Sequence, residues 1–455
     1  MAAEPREIEL KFVLPAVRLA DVAGAIPELA GVEPRRQVST YFDTAKGALR
    51  RAGFALRVRQ VGETFTQTIK DAGDGAISRG EWETRVAGAK PNLGKARATP
   101  AGRMLTKGLT LKPLYTVEVQ RRSVDVIEGD TRIELSLDEG VAKARGQQAA
   151  FAELELELKA GPQWGLFALA RRLMSTGDLT LSFTTKAARG SALARPPRSF
   201  AQKFSAPALP PRASSGQAFQ SVAKACLAQI VANTERLRHR PSPEVIHQAR
   251  VGIRRLRSLI TTFKDVVSDA RLPAIKAELK WLTGELDAAR NLDVLLHGDY
   301  RTALHGKEDV EGLKGLGARL RGARRIAYAR AATAVESDRF RRLLLDLLVW
   351  IEAGPWTGAE TLAKAREKPI EKFAERALGK RRRKIARRGR KLAALDPHAR
   401  HKLRIEAKKL RYSADAFERL FDRPKRARAF IDALKAVQEA LGALNDIVVG
   451  ERLAH

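Results

Sequence analysis

One basic pattern of eleven residues occurs twice in this chain, the second copy 154 residues after the first. The copies run from His247 to Arg257 and from His401 to Arg411, and both read His-x2-Arg-[Val/Ile]-x2-[Arg/Lys]-[Arg/Lys]-Leu-Arg. The spacing of three, four and three residues places four cationic or titratable groups on one stripe of a helix. Because like charges on one stripe repel each other, the stripe costs stability unless an anion lies against it.

The repeat extends beyond the basic pattern. Residues 279–291 resemble residues 434–446, and a phenylalanine follows each copy after six residues, at Phe263 and Phe417. From Gln217 onward, segments rich in Ala, Leu, Arg, Lys and Glu carry apolar residues at three- and four-residue steps, which predicts helices. We therefore expect two copies of an all-α helical bundle. The second copy is followed by few residues, so it is predicted to lack its last helix.

The first part of the chain has a different periodicity. Charged and apolar residues alternate in the segments 7–11, 56–59, 132–138 and 153–158. Alternation of this kind predicts strands with the charged side chains on one face. Any single run is typical of a solvated strand face, but several charged faces of mixed sign favour a closed barrel with charges in its lumen and apolar faces against helices. The predicted class is α+β.

A segment rich in Pro and Ser separates the two periodicities. It includes Arg195-Pro-Pro and Pro207 to Gly216, a composition typical of linkers. The predicted organisation is a strand-rich domain at 5–192, a linker at 193–216 and a duplicated helical domain at 217–455.

The positive charge is concentrated in the helical part. The formal net charge is +32; residues 1–190 hold 29 Lys+Arg and 23 Asp+Glu, a net +6, so the remainder carries +26. Residues 363–411 alone hold 20 Lys+Arg and 5 Asp+Glu. Such an excess favours a polyanion partner for this half.

Cys226 is the only cysteine, which excludes an internal disulfide and a cysteine-rich metal cluster. Without a signal peptide or an apolar span, we expect a cytoplasmic protein that does not enter membranes.

The mixed charges of the strand-rich half indicate a particular ligand chemistry. Clustered carboxylates suit a hard divalent ion such as Mg²⁺ or Mn²⁺. Arginine and lysine suit phosphate oxygens. Together they predict a site for a metal-bound, highly charged phosphate compound, where hydrolysis needs an activated water and cations that stabilise the developing charge.

The strand-rich half resembles the CYTH domain, also called the triphosphate tunnel metalloenzymes. Glu7-Ile-Glu9-Leu-Lys11 is similar to the Glu-x-Glu-x-Lys signature of that family, and the resemblance continues in order to Thr185-Lys186-Ala-Ala-Arg-Gly190. It implies an eight-stranded antiparallel β-tunnel. It implies that triphosphate binds to Lys11, Arg57, Arg59, Lys70, Arg121 and Lys186. It implies that metal ions or the attacking water are held by Glu7, Glu9, Asp138, Glu153 and Glu155, with Glu83 and Glu134 as weaker assignments.

One of these residues conflicts with strand parity. Arg122, not Arg121, would share a face with Glu118, so Arg121 rests on the resemblance alone unless a bulge intervenes.

The duplicated pattern resembles the CHAD domain, the conserved histidine α-helical domain, over residues 217–450. The resemblance implies two four-helix bundles related by a pseudo-twofold axis, with a basic groove that binds inorganic polyphosphate. It implies that the groove is lined by His247, Arg250, Arg254, Arg255, Arg257, His401, Arg404, Lys408, Lys409 and Arg411. Lys280 and Lys435 occupy equivalent repeat positions and are added to this set. Either histidine could instead be a structural residue that orients its neighbours.

Nucleic acid is the rival polyanion. Binding of single strands usually adds aromatic stacking platforms, and aromatic residues are only 6% of the chain. A phosphate chain without bases needs cations alone, so polyphosphate is favoured.

The predicted function is a metal-dependent inorganic triphosphatase that cleaves tripolyphosphate to phosphate and diphosphate. Adenylate cyclase and thiamine triphosphatase are sibling activities implied by the same resemblance. The alternative from a different class is a non-catalytic polyphosphate-binding module, associated with polyphosphate granules, whose tunnel only anchors phosphate chains. The oligomeric state has no signal in the sequence.

Overall fold

The computed structural model describes residues 6–73, 77–105, 109–175, 178–196, 201–210, 212–305, 311–420 and 423–454. The chain divides into two compact units. The first is Met1–Gln202 with Val231–Val245 and Ala329–Asp346, and the second is Lys203–Ile230 with Ile246–Tyr328 and Leu347–His455. Strands occur in the first unit and the repeated helices in the second, so the predicted α+β class is confirmed.

The described residues of the first unit contain nine strands. They are β1 (Arg6–Leu14), β2 (Arg35–Asp43), β3 (Ala55–Val61), β4 (Thr64–Lys70), β5 (Ser78–Val86), β6 (Lys112–Glu128), β7 (Thr131–Ala144), β8 (Gln147–Ala160) and β9 (Thr180–Leu181). All their pairings are antiparallel, in the order β5-β4-β3-β2-β6-β7-β8-β1-β9.

The sheet closes on itself through β1. Residues 9–14 of this strand pair with β8, and residues 6–8 pair with β5 at the other end of the order. Eight of the described strands therefore form a closed antiparallel tunnel, as predicted. The two-residue β9 pairs with Phe12 and Val13 of β1 and adds a short ninth strand that the sequence did not indicate.

The apolar residues of β1, β7 and β8 face outward. Leu10 and Phe12 of β1, Leu135 of β7, and Leu154 and Leu156 of β8 are all fully buried. Helix α4 (Gln163–Leu173) packs against β6, β7 and β8 and buries Leu166 and Leu169. The hydrophobic core thus lies between the sheet and the helices. The charged residues that alternate with the apolar ones along these strands face the tunnel interior.

Four further helices accompany the tunnel. They are α1 (Leu19–Gly24), α2 (Ala48–Arg51), α3 (Leu93–Arg97) and α5 (Lys186–Ala194). Thr185 caps α5 by accepting a hydrogen bond from the Ala188 amide, so the cap holds Lys186 at the first position of the helix.

Ten α-helices follow in the described residues. They are α6 (Ser215–His239), α7 (Pro243–Thr262), α8 (Leu272–His297), α9 (Asp299–Leu304), α10 (Glu311–Glu336), α11 (Asp338–Ala353), α12 (Glu360–Arg366), α13 (Ile370–Gly389), α14 (Pro397–Ala416) and α15 (Pro424–Ala454). No described helix combines the length and apolar character that a membrane-spanning segment needs.

The two copies of the basic pattern lie in α7 and α14, and these helices meet in the second unit. The rings of Phe263 and Phe417, which follow the two copies at equal distance, have centroids 6.0 Å apart. Arg255 of the first copy forms a 2.9 Å ion pair with Asp415, which follows the second copy. The predicted duplication is therefore built around direct packing of the two pattern helices. After α8 the first copy continues through α9 to α11, whereas the described part of the second copy ends with α15.

Candidate active site

The tunnel encloses a cavity of about 300 Å³ lined by side chains of both charges. Among its lining residues are Glu7, Glu9, Lys11, Arg57, Arg59, Lys70, Arg79, Glu81, Glu83, Arg121, Glu134, Glu155, Glu157, Lys159 and Lys186. Eleven residues were assigned to triphosphate or metal without reservation, and nine of them are in this set; the other two, Asp138 and Glu153, are buried. The alternation of each strand explains the convergence, because every second residue points inward.

Three carboxylates form the acidic centre of the site. One ligand oxygen from each of Asp138, Glu153 and Glu155 lies within 4.8 Å of the others. The register produces this arrangement, because Asp138 of β7 pairs with Glu153 of β8 and Glu155 lies two residues further along the same face. Asp138 and Glu153 have no solvent exposure.

Cations compensate this acidic centre. The Lys186 ammonium lies 2.8 Å from Asp138 and 2.7 Å from Glu155, and it also contacts Glu153. The Arg121 guanidinium donates two hydrogen bonds to Asp138, of 2.7 and 2.6 Å. Lys11 lies 2.6 Å from Glu155. Buried charges of one sign are thus paired with charges of the other, as a low-dielectric interior requires.

Pairing decides the protonation states. Burial disfavours the charged form of Glu155, yet Lys11, Lys186 and Arg121 outweigh burial and hold its pKa well below its usual range. Burial would likewise lower the pKa of Lys11, but Glu153, Glu155 and Glu9 raise it. Glu155 is therefore ionised, and the Lys11 ammonium charged, at neutral pH.

The acidic centre fits a hard divalent ion. Both oxygens of Glu153 are buried and, in the described part of the chain, have ion-pair contacts but no hydrogen bond: Lys186 and Lys11 lie beside one oxygen and Arg189 lies 3.7 Å from the other. Oxygen-only ligands from three carboxylates are the donor set that Mg²⁺ and Mn²⁺ prefer. Asp138, Glu153 and Glu155 are consequently the residues that could hold a metal ion.

The other two acids predicted for the metal occupy a neighbouring cluster. Glu7 accepts hydrogen bonds from Lys70 at 2.8 Å and from Arg79 at 2.7 Å. Glu9 contacts Arg79 and lies 3.3 Å from Lys11, through which it adjoins the acidic centre. Burial would raise the pKa of Glu7, but Lys70 and Arg79 lower it. A metal role for Glu7 and Glu9 stays a prediction.

Two arginines of β3 line another wall. Arg59 lies 3.0 Å from Glu83 of β5, and Arg57 lies 4.0 Å from Glu81. Both side chains are largely buried, and Arg57 depresses the pKa of Arg59, with burial adding to the effect. Two adjacent guanidinium groups of this kind gain stability when an anion lies between them. Glu134, a weaker assignment, pairs with Lys159 at 2.9 Å.

The conflict at β6 is resolved without a bulge. Arg121 points into the tunnel, on the same face of the strand as Val117 and Val119, while Glu118 pairs on the outside with Lys143 at 2.6 Å. Strand alternation therefore accounts for the inward position of Arg121, because Glu118 and Arg122 share the outward face.

Sequence reasoning missed three cations of the site, namely Arg79, Arg189 and Lys159, which pairs with Glu134 and Glu157. Arg79 contacts both Glu7 and Glu9, and the alternation of Arg79, Glu81 and Glu83 in β5 is the signal that could have found it. Arg189 lies 3.7 Å from Glu153, three residues after Lys186 on α5, so helical spacing could have found it.

In the second unit, the two basic stripes converge on Lys408. Burial lowers its pKa, and Arg404 and Arg411 of its own copy, with Arg254 and Arg250 of the other copy, lower it further, to about 8. The positive charge is balanced differently in the two copies. Arg250 of the first copy forms a 2.6 Å ion pair with Asp287. Arg404 of the second copy lies against Gly442, which corresponds to Asp287 in the repeat and carries no charge. This concentration of cations from both copies is an electrostatic site for an anion.

Two other predicted groove residues, Arg255 and Lys409, have partners of their own. Arg255 is buried against Asp415, with the Phe204 ring 4.0 Å away, so it joins the two pattern helices. Lys409 pairs with Glu406 at 3.3 Å. His247 is partly buried; the remaining positions are exposed, namely Arg257, Lys280, His401 and Lys435. The structure therefore brings together Arg250, Arg254, Arg404, Lys408 and Arg411. A groove role for His247, Arg257, Lys280, His401 and Lys435 stays a prediction.

Comparison with known families agrees with both halves. The model of the CYTH domain matches residues 5–191, and the model of the CHAD domain matches residues 221–455. The two matches follow each other in the order of the two resemblances read from the sequence.

Individual relatives are more distant. An inorganic triphosphatase from Haemophilus influenzae is 28% identical over 156 residues, which are 33% of this chain and 44% of that protein, so the chain spans less than half of this curated relative. The crystal structure of the CHAD domain from the plant Ricinus communis is 32% identical, over 55% of this chain and 82% of that chain, with a TM-score of 0.48. A Hippeastrum protein for which a dominant triphosphatase activity is described is 21% identical, over 41% of this chain and 95% of that chain, with a TM-score of 0.30.

Proposed function

Because this chain belongs to the CHAD domain family and carries a CYTH domain before that region, we propose that it is a metal-dependent inorganic triphosphatase with a polyphosphate-binding helical half. The observation that carries the proposal is the juxtaposition in the tunnel of a three-carboxylate centre with cations on several walls. The similarity to an inorganic triphosphatase supports the same choice.

The tunnel cations suit a triphosphate chain. Arg57 and Arg59 offer two forked donor groups on one wall, and Lys11, Arg121 and Lys186 surround the acidic centre. Phosphate oxygens would replace the carboxylates as partners of these groups, so the substrate would gain charge-assisted hydrogen bonds without the site losing compensation. Donors fixed in advance also stabilise the charge that develops on the leaving phosphate.

Asp138, Glu153 and Glu155 would hold the metal ion. A divalent ion supplies Lewis-acid stabilisation of phosphate charge and lowers the pKa of a bound water. The chain's own contribution is to present three carboxylates at this position and to keep Asp138 and Glu155 ionised through Lys186 and Arg121.

The choice of an inorganic substrate is supported by the lining of the tunnel. Tyr41 is the one aromatic residue among the described side chains that line it. An adjoining cavity of about 320 Å³ shares Glu9, Lys11, Lys70 and Arg79 and adds Phe54 and Phe183. Organic triphosphates therefore belong in the test.

The test is phosphate release from a panel of tripolyphosphate, ATP, thiamine triphosphate and long-chain polyphosphate, with Mg²⁺ and with Mn²⁺. We expect kcat/KM to be highest with tripolyphosphate and release to stop in chelator. Faster turnover of ATP or thiamine triphosphate would overturn the inorganic assignment. No turnover of any substrate with either metal would favour a non-catalytic phosphate-binding module.

The helical half is proposed to bind inorganic polyphosphate. Support comes from the five cations of both copies that meet around Lys408. A phosphate chain can contact all five groups, because its negative charge is continuous.

A further inference from the structure

A cavity of about 690 Å³ in the second unit lies among the end of α7, helices α12 and α13, and α14. It shares no lining residue with the tunnel, and it does not include the cations around Lys408. Its volume is in the range of small-molecule sites, about 300–1,000 Å³. Neither the proposed triphosphatase activity nor polyphosphate binding uses it.

The lining of this cavity carries a large excess of positive charge. The cations are Lys264, Lys364, Lys368, Arg376, Lys380, Arg381, Lys384 and Lys409, and the acids are Asp265 and Glu406. Glu406 already serves three of the cations, since it lies 3.8 Å from Arg381, 3.6 Å from Lys384 and 3.3 Å from Lys409. The remaining positive charge is a binding field for an anionic group.

The cavity also has an apolar wall, which a phosphate chain would not use. Phe373, Val266, Ala365 and Ala377 form this wall. The Phe373 ring is stacked on Phe263, with centroids 4.3 Å apart and planes inclined by 27°, so its orientation is fixed by packing. A fixed aromatic surface beside cations suits a ligand that has a flat ring as well as negative charge.

The cavity lies at a position whose equivalent in the other copy of the repeat is occupied by an aromatic side chain. In the first copy, Arg255 is covered by the ring of Phe204, from the segment that precedes α6, and lies near Tyr412 and Asp415. With the 154-residue offset of the repeat, Arg255 corresponds to Lys409 and Asp415 corresponds to Thr261. Lys409 and Thr261 both line the cavity. The chain supplies an aromatic ring at one position, and the equivalent position is an open cavity.

We infer that this cavity binds a nucleoside polyphosphate, with the base against the Phe373 wall and the phosphates among Lys380, Arg381 and Lys384. Thr261, Thr262 and Thr361 also line the cavity. The Thr261 and Thr262 hydroxyls donate to the carbonyls of Arg257 and Ser258, so they can still accept hydrogen bonds from ribose hydroxyl groups. The inference is independent of the reaction in the tunnel, because it rests on different residues.

The test is photolabelling of the full chain with 8-azido-ADP, followed by identification of the labelled peptides by mass spectrometry. Peptides from the tunnel can also be labelled, so only labelled peptides from residues 361–384 are evidence for binding in this cavity. We expect these peptides to be labelled and ADP to compete about tenfold or more better than pyrophosphate or adenosine, because each competitor lacks one half of the ligand. Equal competition by pyrophosphate would overturn the inference, since it would mean a phosphate site without a base pocket. Absence of label from these peptides would overturn it as well.

Matched variants locate the site. Ala377→Trp fills the cavity without changing charge, and Ala386→Trp adds the same side chain at an exposed position of α13 outside the cavity. Labelling should fall about tenfold in the first and stay unchanged in the second. Should Ala377→Trp disturb folding, the pair Lys380→Ala with Lys384→Ala replaces it, with the exposed pair Arg383→Ala and Arg387→Ala as its control. Equal losses in variant and control would contradict the assignment.

Discussion

The Lys11 ammonium lies 2.6 Å from the carboxylate of Glu155, and the β1–β8 register places these two residues directly opposite each other. This pair shows how the tunnel keeps opposite charges in a buried interior: each cation is compensated by a carboxylate. A triphosphate with its metal ion brings both signs of charge at once. It can therefore replace such pairs on both sides without leaving an uncompensated group.

The acidic centre is expected to bind Mn²⁺ in solution. Asp138→Asn keeps the shape of the side chain but removes one anionic ligand, and we expect Mn²⁺ affinity to fall about tenfold or more. Glu139→Gln is the matched control, because its side chain is exposed on the other face of β7. Electron paramagnetic resonance titration of free Mn²⁺ measures both. An unchanged affinity in Asp138→Asn would show that the metal binds elsewhere.

Lys186 is expected to stabilise the metal-free tunnel. Lys186→Met leaves Asp138, Glu153 and Glu155 without their shared cation, and breaking a buried pair of this kind costs about 3–5 kcal/mol. Urea unfolding should show that loss, and saturating Mn²⁺ should restore part of it, because the ion supplies the missing positive charge.

The control for that prediction is Lys143→Met. Lys143 pairs with Glu118 on the exposed side of β6, so its removal should cost less than about 1 kcal/mol. Equal losses in the two variants, or a Lys186→Met protein that Mn²⁺ does not stabilise, would contradict the compensation argument.

The cations that meet around Lys408 should dominate polyphosphate binding. Changing Arg254, Arg404, Lys408 and Arg411 together to alanine should weaken binding of long-chain polyphosphate more than changing all five residues from Lys380 to Lys384, although the second variant removes more charge. Fluorescence anisotropy with labelled polyphosphate, at several salt concentrations, measures both. Comparable losses would indicate diffuse attraction instead of a defined site.

Lys408 should make that binding dependent on pH. Its pKa in the free protein is about 8, lowered by burial and by Arg404 and Arg254 among its neighbours, and a bound polyanion favours the charged form and raises this pKa. Below the free pKa the group is charged in both states and affinity is flat. Above it, binding must take up a proton, so affinity should fall about tenfold from pH 7 to pH 9.

Lys408→Arg isolates this effect. Arginine stays charged over the same range, so the variant should lose most of the pH dependence while it keeps tight binding. A parallel decline of wild type and variant would assign the pH dependence to other groups.

Periodicity alone predicted much of the architecture. The alternation in β1, β7 and β8 located Glu9, Lys11, Asp138 and Glu155 on inward faces, because side-chain direction in a strand depends only on parity. The duplicated spacing likewise located the pattern helices α7 and α14.

The pairing of side chains between different strands and helices could not be predicted from periodicity. The position of Arg121 depends on which face of β6 turns inward, and Glu118 gave the wrong indication because it pairs with Lys143 outside. Arg255 carries the same charge as its neighbours in the pattern, yet it pairs with Asp415 of another helix, 160 residues away. Such pairings depend on tertiary packing, for which one element's periodicity holds no signal.

The most direct test of the proposed catalytic tunnel compares Arg121→Ala with Arg122→Ala. The two residues are adjacent on β6, but Arg121 contacts Asp138 and Glu155 inside the tunnel, whereas Arg122 lies on the opposite face. Metal-dependent phosphate release from tripolyphosphate should fall about 100-fold or more in Arg121→Ala, because a preorganised donor is lost. It should stay within about twofold of wild type in Arg122→Ala, as expected for a surface substitution away from the site. Equal activity of the two variants would contradict hydrolysis inside the tunnel.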